Sequence, residues 1–241
     1  MSEQLNISYI KFLQQSGINS FLKNHPNNFY TLNVKKKSQI ITYNIKNLED
    51  IASLDELALF IKKSDICKLA EQSVNMIFSD GNPKSKIMLI GEAPGAEEDR
   101  LGKPFVGAAG QLLDKMLAAI KLDRKSVYIT NVIPWRPPKN RTPSTEEVLQ
   151  CLPFIQRHIE IIEPKIIVLL GGTAAKAILA TLLGIMKLRG KWHEYKSLKM
   201  KKSIPTLATF HPAFLLRSPS YKKQSWNDLQ MLQKKIQNEN L

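Results

Sequence analysis

Three side chains of different chemistry stand where the chain changes character: Glu92 in IMLIGEAPG, Asn131 in VYITNV and His211 in ATFHPAF. Each ends or follows a short apolar run. A carboxylate can orient a water molecule and stabilise positive charge. A carboxamide offers a donor and an acceptor from one group. A neutral imidazole N–H can stabilise an oxygen on which negative charge develops. Taken singly, each has a plainer explanation: Asn131 as a turn cap, Glu92 as part of a packing loop and His211-Pro212 as a strand end. Their shared position at the ends of apolar runs is the informative feature.

Those runs must be the elements that position them. Ile87–Ile90, Val127–Val132, Lys165–Leu170 and Ile204–Phe210 read as buried strands. Helical patterns alternate with them. One opens at Ala108 (Leu112, Leu113, Met116, Leu117, Ile120), one runs from Ser144 to about Ile162, one covers 174–183, and a last one carries Trp226, Leu229, Leu232 and Ile236 on one face. This order predicts an α/β fold, a three-layer α/β/α sandwich around a central, mostly parallel four-stranded sheet. Ligands of such sheets bind beyond the carboxyl ends of the strands, where Glu92, Gly95, Asn131 and His211 fall. Gly91 and Gly95 allow close backbone approach, Pro94 stiffens the turn between them, and Gly102-Lys103-Pro104 presents Phe105. Phe105 alone reads equally as a core residue. The loop is neither GxGxxG nor a Walker A loop, and Glu97-Glu98-Asp99 would repel a pyrophosphate.

The remaining chain is less specific. Residues 1–50 read as a partly disordered extension, with helical spacing in 1–24, an Asn- and Lys-rich stretch after it and a candidate strand at Ser38–Tyr43. Residues 51–241 read as the folded domain. Ser53-Leu54-Asp55-Glu56 has the form of a capping box. Residues 184–203 read as a basic loop or hairpin. The chain of 241 residues carries a formal charge of +14. Residues 184–241 hold 12 Lys/Arg against 3 Asp/Glu, so much of the excess is C-terminal. That balance points to a polyanion partner, or else to a solvated basic face. No apolar run is long enough for a membrane span and no secretory signal is visible, so a cytoplasmic protein is expected. Two cysteines fit a reducing compartment.

GEAPGAEED followed by GKPFVGAAGQLL resembles the type-4 uracil-DNA glycosylases, of the uracil-DNA glycosylase superfamily. YITNV (128–132), RPPKNRTP (136–143) and HPAFLLRSP (211–219) follow in the family's order. The likeness covers roughly residues 64–235. It implies an enzyme that flips uracil out of DNA and hydrolyses its N-glycosidic bond, leaving an abasic site. Glu92 and His211 take the catalytic positions, His211 donating to the uracil oxygen that gains charge. Gly95, Phe105, Asn131 and Glu98 take the uracil-binding ones. Asn131 reads the base edge, Phe105 stacks on the base, and Glu98 lies near C5, where it would exclude a thymine methyl; a solvated loop acid is the plainer reading of Glu98. Leu215-Leu216-Arg217 matches the loop that enters the duplex, and Arg136, Lys139, Arg141, Lys222 and Lys223 are candidate phosphate contacts.

The resemblance also implies a [4Fe–4S] cluster, which four thiolates normally hold. Here only Cys67 and Cys151 remain; Ser64 and Trp135 stand at the other two positions. The expectation is that the cluster is lost, that the chemistry needs no cofactor and that the two cysteines are buried small hydrophobes. The expected partner is uracil-containing DNA, with no membrane and a monomeric protein. The alternative is a non-catalytic DNA-damage binder, which the intact set Glu92, Phe105, Asn131 and His211 disfavours. A relative that traps the abasic sugar on a histidine is disfavoured because the loop after Asn131 contains none.

Overall fold

The computed structural model describes residues 45–241 apart from Leu198, with side chains from Leu48 onward. The expected helix in 1–24, the strand at Ser38–Tyr43 and most of the 1–50 extension lie outside the described residues. The chain separates into two units, Met1–Ser64 and Asp65–Leu241. In the first, helix α1 spans Ile45–Asp50 and α2 spans Leu54–Lys63. Ser53 caps α2: its hydroxyl accepts from Glu56 N, and the Glu56 carboxylate accepts from Ser53 N, the reciprocal pair that the sequence announces.

The second unit is built on one mixed sheet. Its strands are β1 (Asp80–Gly81), β2 (Ile87–Gly91), β3 (Tyr128–Asn131), β4 (Ile166–Leu170), β5 (Trp192–Tyr195) and β6 (Ile204–Thr209), in the order β1-β3-β2-β4-β6-β5. The four inner strands are the expected ones, and all their pairings are parallel. Every residue of β2, β3 and β4 is buried, as a sheet covered on both faces requires. The sheet has six strands where four were expected. The two additions are antiparallel edges, β1 on β3 and β5 on β6. β1 has only two residues, too few to show a period, and β5 (WHEY) lacks an apolar alternation, so neither carries a sequence signal. Of the stretch read as a basic loop or hairpin, residues 185–188 are helical and β5 pairs back on β6 as a hairpin.

The second unit's helices are α3 (Leu69–Gln72), α4 (Ala96–Leu101), α5 (Ala108–Ala119), α6 (Thr145–Ile162), α7 (Gly172–Leu179), α8 (Ile185–Leu188), α9 (Pro212–Arg217) and α10 (Lys222–Glu239). Ser144 and Glu147 form a capping box at the start of α6. One core joins Ile87 and Leu89 of β2, Ile129 of β3, Val168 and Leu170 of β4, and Leu113 and Leu117 of α5 to Leu229 and Leu232 of α10. Trp226, expected on the packed face of α10, is 40% exposed. No described helix is long and apolar enough to cross a membrane.

Candidate active site

The site begins where β2 and β3 end together. Gly91 is the register partner of Asn131. The pairing continues beyond the strands: Val132 N donates to Gly91 O at 2.9 Å and Ile133 N to Glu92 O at 3.1 Å. Glu92 and Asn131 are thereby carried on backbone locked side by side. A methyl group on Gly91 would lie 2.3 Å from Asn131 Oδ1 and 2.5 Å from Phe105 Cζ, so only a bare α-carbon lets the amide and the aromatic converge here. Asn131 is buried, and its Oδ1 has no hydrogen-bond partner. A buried acceptor left unsatisfied costs about 1–3 kcal/mol and points to a ligand that supplies the missing donor. Glu92, one residue past the end of β2, is partly buried.

The loop opposite is set by Glu98 and Gly110. Glu98 sits in the first turn of α4, where a carboxylate is favoured by the helix dipole. One of its oxygens accepts from Gly95 N at 3.1 Å; the other accepts from Val106 N and Gly107 N, both at 2.9 Å. It therefore ties the turn after β2 to the segment that carries Phe105. Phe105 is buried and has φ of 55°, in the left-handed region that costs a side chain with a Cβ about 1–3 kcal/mol. Gly110 makes this possible, since a Cβ there would lie 1.7 Å from Phe105 O.

His211 reaches the same place from β6. It is the N-cap of α9, and its Nδ1 accepts from Ala213 N at 3.1 Å. That bond puts the proton of the neutral ring on Nε2. The ring stacks on Phe105 at a centroid distance of 5.6 Å. Gly171, with φ of 98°, gives the ring its room: a Cβ there would lie 3.0 Å from His211 Cβ. Burial pushes the His211 pKa down to about 4, the Arg217 cation pushes the same way, and Glu98 opposes them. At neutral pH this group is a neutral N–H donor.

The structure thus brings Glu92, Gly95, Glu98, Phe105, Asn131 and His211 to the carboxyl ends of the inner strands. The HPAFLLR motif is divided differently from its appearance in sequence. Residues 212–217 are helical, so neighbours point different ways: Leu215 is 1% exposed in the core, whereas Leu216 is 43% exposed and Arg217 is exposed with it. Lys222 and Lys223 are exposed at the start of α10, and Lys139 is exposed on its loop. Arg136 donates to Asn140 Oδ1 at 2.7 Å, and Arg141 pairs with Glu147 at 2.6 Å. Gly110 and Gly171 were not singled out in sequence; glycine within otherwise apolar or helical context was the available signal.

Cys67 and Cys151 are both buried and free. Their thiols hydrogen-bond each other, an arrangement that pulls the Cys67 pKa down and pushes that of Cys151 well up, burial adding to the latter. Trp135 is buried, and the buried Ser64 hydroxyl has no partner. Among the described residues, no group of three or more His, Cys, Asp or Glu could hold a metal ion.

Residues 78–230 match the family model of the uracil DNA glycosylase superfamily. The chain is 41% identical to the type-4 uracil-DNA glycosylase of Sulfurisphaera tokodaii over 73% of its own length and 80% of that protein. It is 40% identical to the type-4 enzyme of Archaeoglobus fulgidus over 75% of this chain and 92% of the other. With the type-4 enzyme of Thermotoga maritima the identity is 44%, over 66% and 81%.

Proposed function

The chain belongs to the uracil-DNA glycosylase superfamily, alongside its type-4 members, and from that premise we propose that it excises uracil from DNA. The observation that carries the reading is the buried, partnerless Oδ1 of Asn131, set beside Phe105 and His211. Uracil extruded from the helix offers N3–H to that oxygen and accepts at O4 from the same amide. Phe105 stacks on the base, which is worth roughly 1–3 kcal/mol. Glu98 acts on the base through the two backbone segments it joins, and in the family's position near C5 it disfavours thymine. Gly95 keeps the approach to the base open.

The bond between C1′ and N1 then breaks, its electron pair leaving with the base. Negative charge gathers on uracil O2, where Nε2–H of the neutral His211 donates. No proton need be transferred to a leaving group that is already a stabilised anion. Glu92, on the other side, faces the cationic sugar and orients the water that adds to C1′, accepting its proton. Removing one such preorganised donor typically lowers the rate by roughly 10²–10³. Leu216, held outward by a helix whose other face is anchored through Leu215, fills the space the base leaves, with Arg217 beside it. Lys222 and Lys223, with Arg136, Lys139 and Arg141, take the phosphates. We further propose that the protein works as a monomer, and that its place of work is wherever the DNA lies, in a cytoplasmic setting.

The four-thiolate cluster does not fit these residues. Two thiols, a serine hydroxyl and an indole do not make a ligand set for it, and the indole nitrogen has no lone pair to give. We infer that packing around Trp135 replaces the cluster, and no step above passes through a metal. The test of the whole reading is incubation with a uracil-containing oligonucleotide followed by alkali. Release of free uracil and a break only after alkali are expected. No release under conditions where a type-4 relative is active would overturn it.

A further inference from the structure

We propose that Arg124 is the positioning residue for Phe105, holding the aromatic ring in the pose in which it receives the extruded base; this rests on the reading of the site given above. Arg124 lies in the connection between α5 and β3, outside every motif of the sequence. Its guanidinium reaches three separate segments. Nε donates to Asp114 Oδ1 of α5 at 2.8 Å, and Nη1 donates to Asp80 Oδ2 of β1 at 2.7 Å. Nη1 also donates to Pro104 O at 3.2 Å, and Nη2 donates to Phe105 O. Two carboxylates on regular elements therefore brace the fork, and its remaining N–H groups go to two successive carbonyls of the loop.

Those are the carbonyls on either side of the residue in the left-handed conformation. A phenylalanine stays there only while its surroundings hold it. Gly110 leaves space for Phe105 O but contributes no bond to it. On the amide side, Glu98 fixes Val106 and Gly107, the residues after Phe105. Arg124 is thus the side chain that holds the carbonyl of Phe105 itself. Without it, Phe105 can relax toward commoner backbone angles, which swings the ring away from Gly91 and His211. Lysine cannot substitute, because a single ammonium lacks the planar fork that meets two acids and two carbonyls at once.

The experiment uses the full chain and its Arg124→Lys, Arg124→Gln and Phe105→Ala variants, with the double variant Arg124→Gln/Phe105→Ala. The readouts are the affinity for a duplex with a non-cleavable deoxyuridine analogue relative to the same duplex with thymidine, and amide hydrogen exchange of residues 103–110. Arg124→Lys and Arg124→Gln are each expected to lose roughly 10-fold or more of the preference for the uracil analogue, the scale of one lost stacking contact. Affinity for the thymidine duplex should stay as it was, and exchange should rise in 103–110. In the Phe105→Ala background the Arg124 substitution should change the preference by less than about 2-fold, because coupled residues are not additive. Additive losses, full retention of the preference in Arg124→Lys, or unchanged exchange in 103–110 would each overturn the proposal. If the unsubstituted chain itself shows no preference, the uracil reading fails separately, and the exchange result alone decides whether Arg124 holds Phe105.

Discussion

Gly91 and Asn131 are register partners at the ends of β2 and β3, and the space between them is closed to a single methyl group: a Cβ on Gly91 would stand 2.3 Å from Asn131 Oδ1. The amide is therefore placed by the absence of an atom on the neighbouring strand. Gly91→Ala should force either Asn131 or Phe105 aside. Overpacking of this kind costs about 1–3 kcal/mol, and a displacement of about 1 Å in a reacting site can cost about 10²-fold. A drop of that size in the single-turnover rate, with only a modest fall in Tm, is expected. A variant of undiminished rate would show that Asn131 does not need this pose.

His211 supplies a pH prediction. Its folded pKa, about 4, lies below the ordinary histidine value near 6.5, so the folded state favours the neutral ring. The acid limb of the single-turnover rate assigned to this group should fall near pH 4, not near 6.5. Replacing Arg217 by Ala removes a cation that depresses this pKa and should shift the limb upward. His158, buried with Nε2 2.7 Å from the Tyr128 hydroxyl, is pushed down to about 3. Both groups take up protons more readily when unfolded. Stability from them is whole above about 6.5 and is lost as pH falls toward the folded values. Thermal unfolding measured from pH 8 to 4 checks the sign.

Lys222 and Lys223 occupy the first turn of an 18-residue helix, where the dipole disfavours cations. Their replacement by Ala should leave Tm unchanged or slightly higher while weakening DNA binding. For duplex DNA, the slope of log K against log salt should flatten by about 0.9 for each phosphate contact removed. A slope that does not move would put the DNA path elsewhere on the surface.

For the cysteine site the expected outcome is a colourless protein without stoichiometric iron, even when prepared anaerobically. Iron analysis and the visible spectrum check this. About four irons per chain would mean that groups other than Ser64 and Trp135 complete the ligand set.

The four inner strands were legible because runs such as IMLI and KIIVLL have no other good use in a chain of this composition. Ser53 and Ser144 announced their helices through capping chemistry that acts over three residues. What was not legible depends on longer distances or on fewer residues. Glu98 reads in sequence as a solvated loop acid; it lies in the first turn of α4, and its carboxylate accepts from three backbone amides. Leu215 and Leu216 look alike in sequence, and only the helix phase separates the buried one from the exposed one. Arg124 carries no local sign at all, because its partners lie 10 to 44 positions away.

The two hydrogen bonds that prolong the β2–β3 ladder past its last residues have a consequence for how such a protein can change. They fasten the main chain of Glu92 to that of Ile133, so the backbone at 92 and at 131 keeps its spacing whatever side chain stands at 131. On the proposed roles, base reading at 131 and cleavage at 92 share one backbone frame while resting on different side chains. The proposed roles therefore predict that exchanging the amide at 131 changes which base is accepted and leaves the main-chain position of Glu92 where it is.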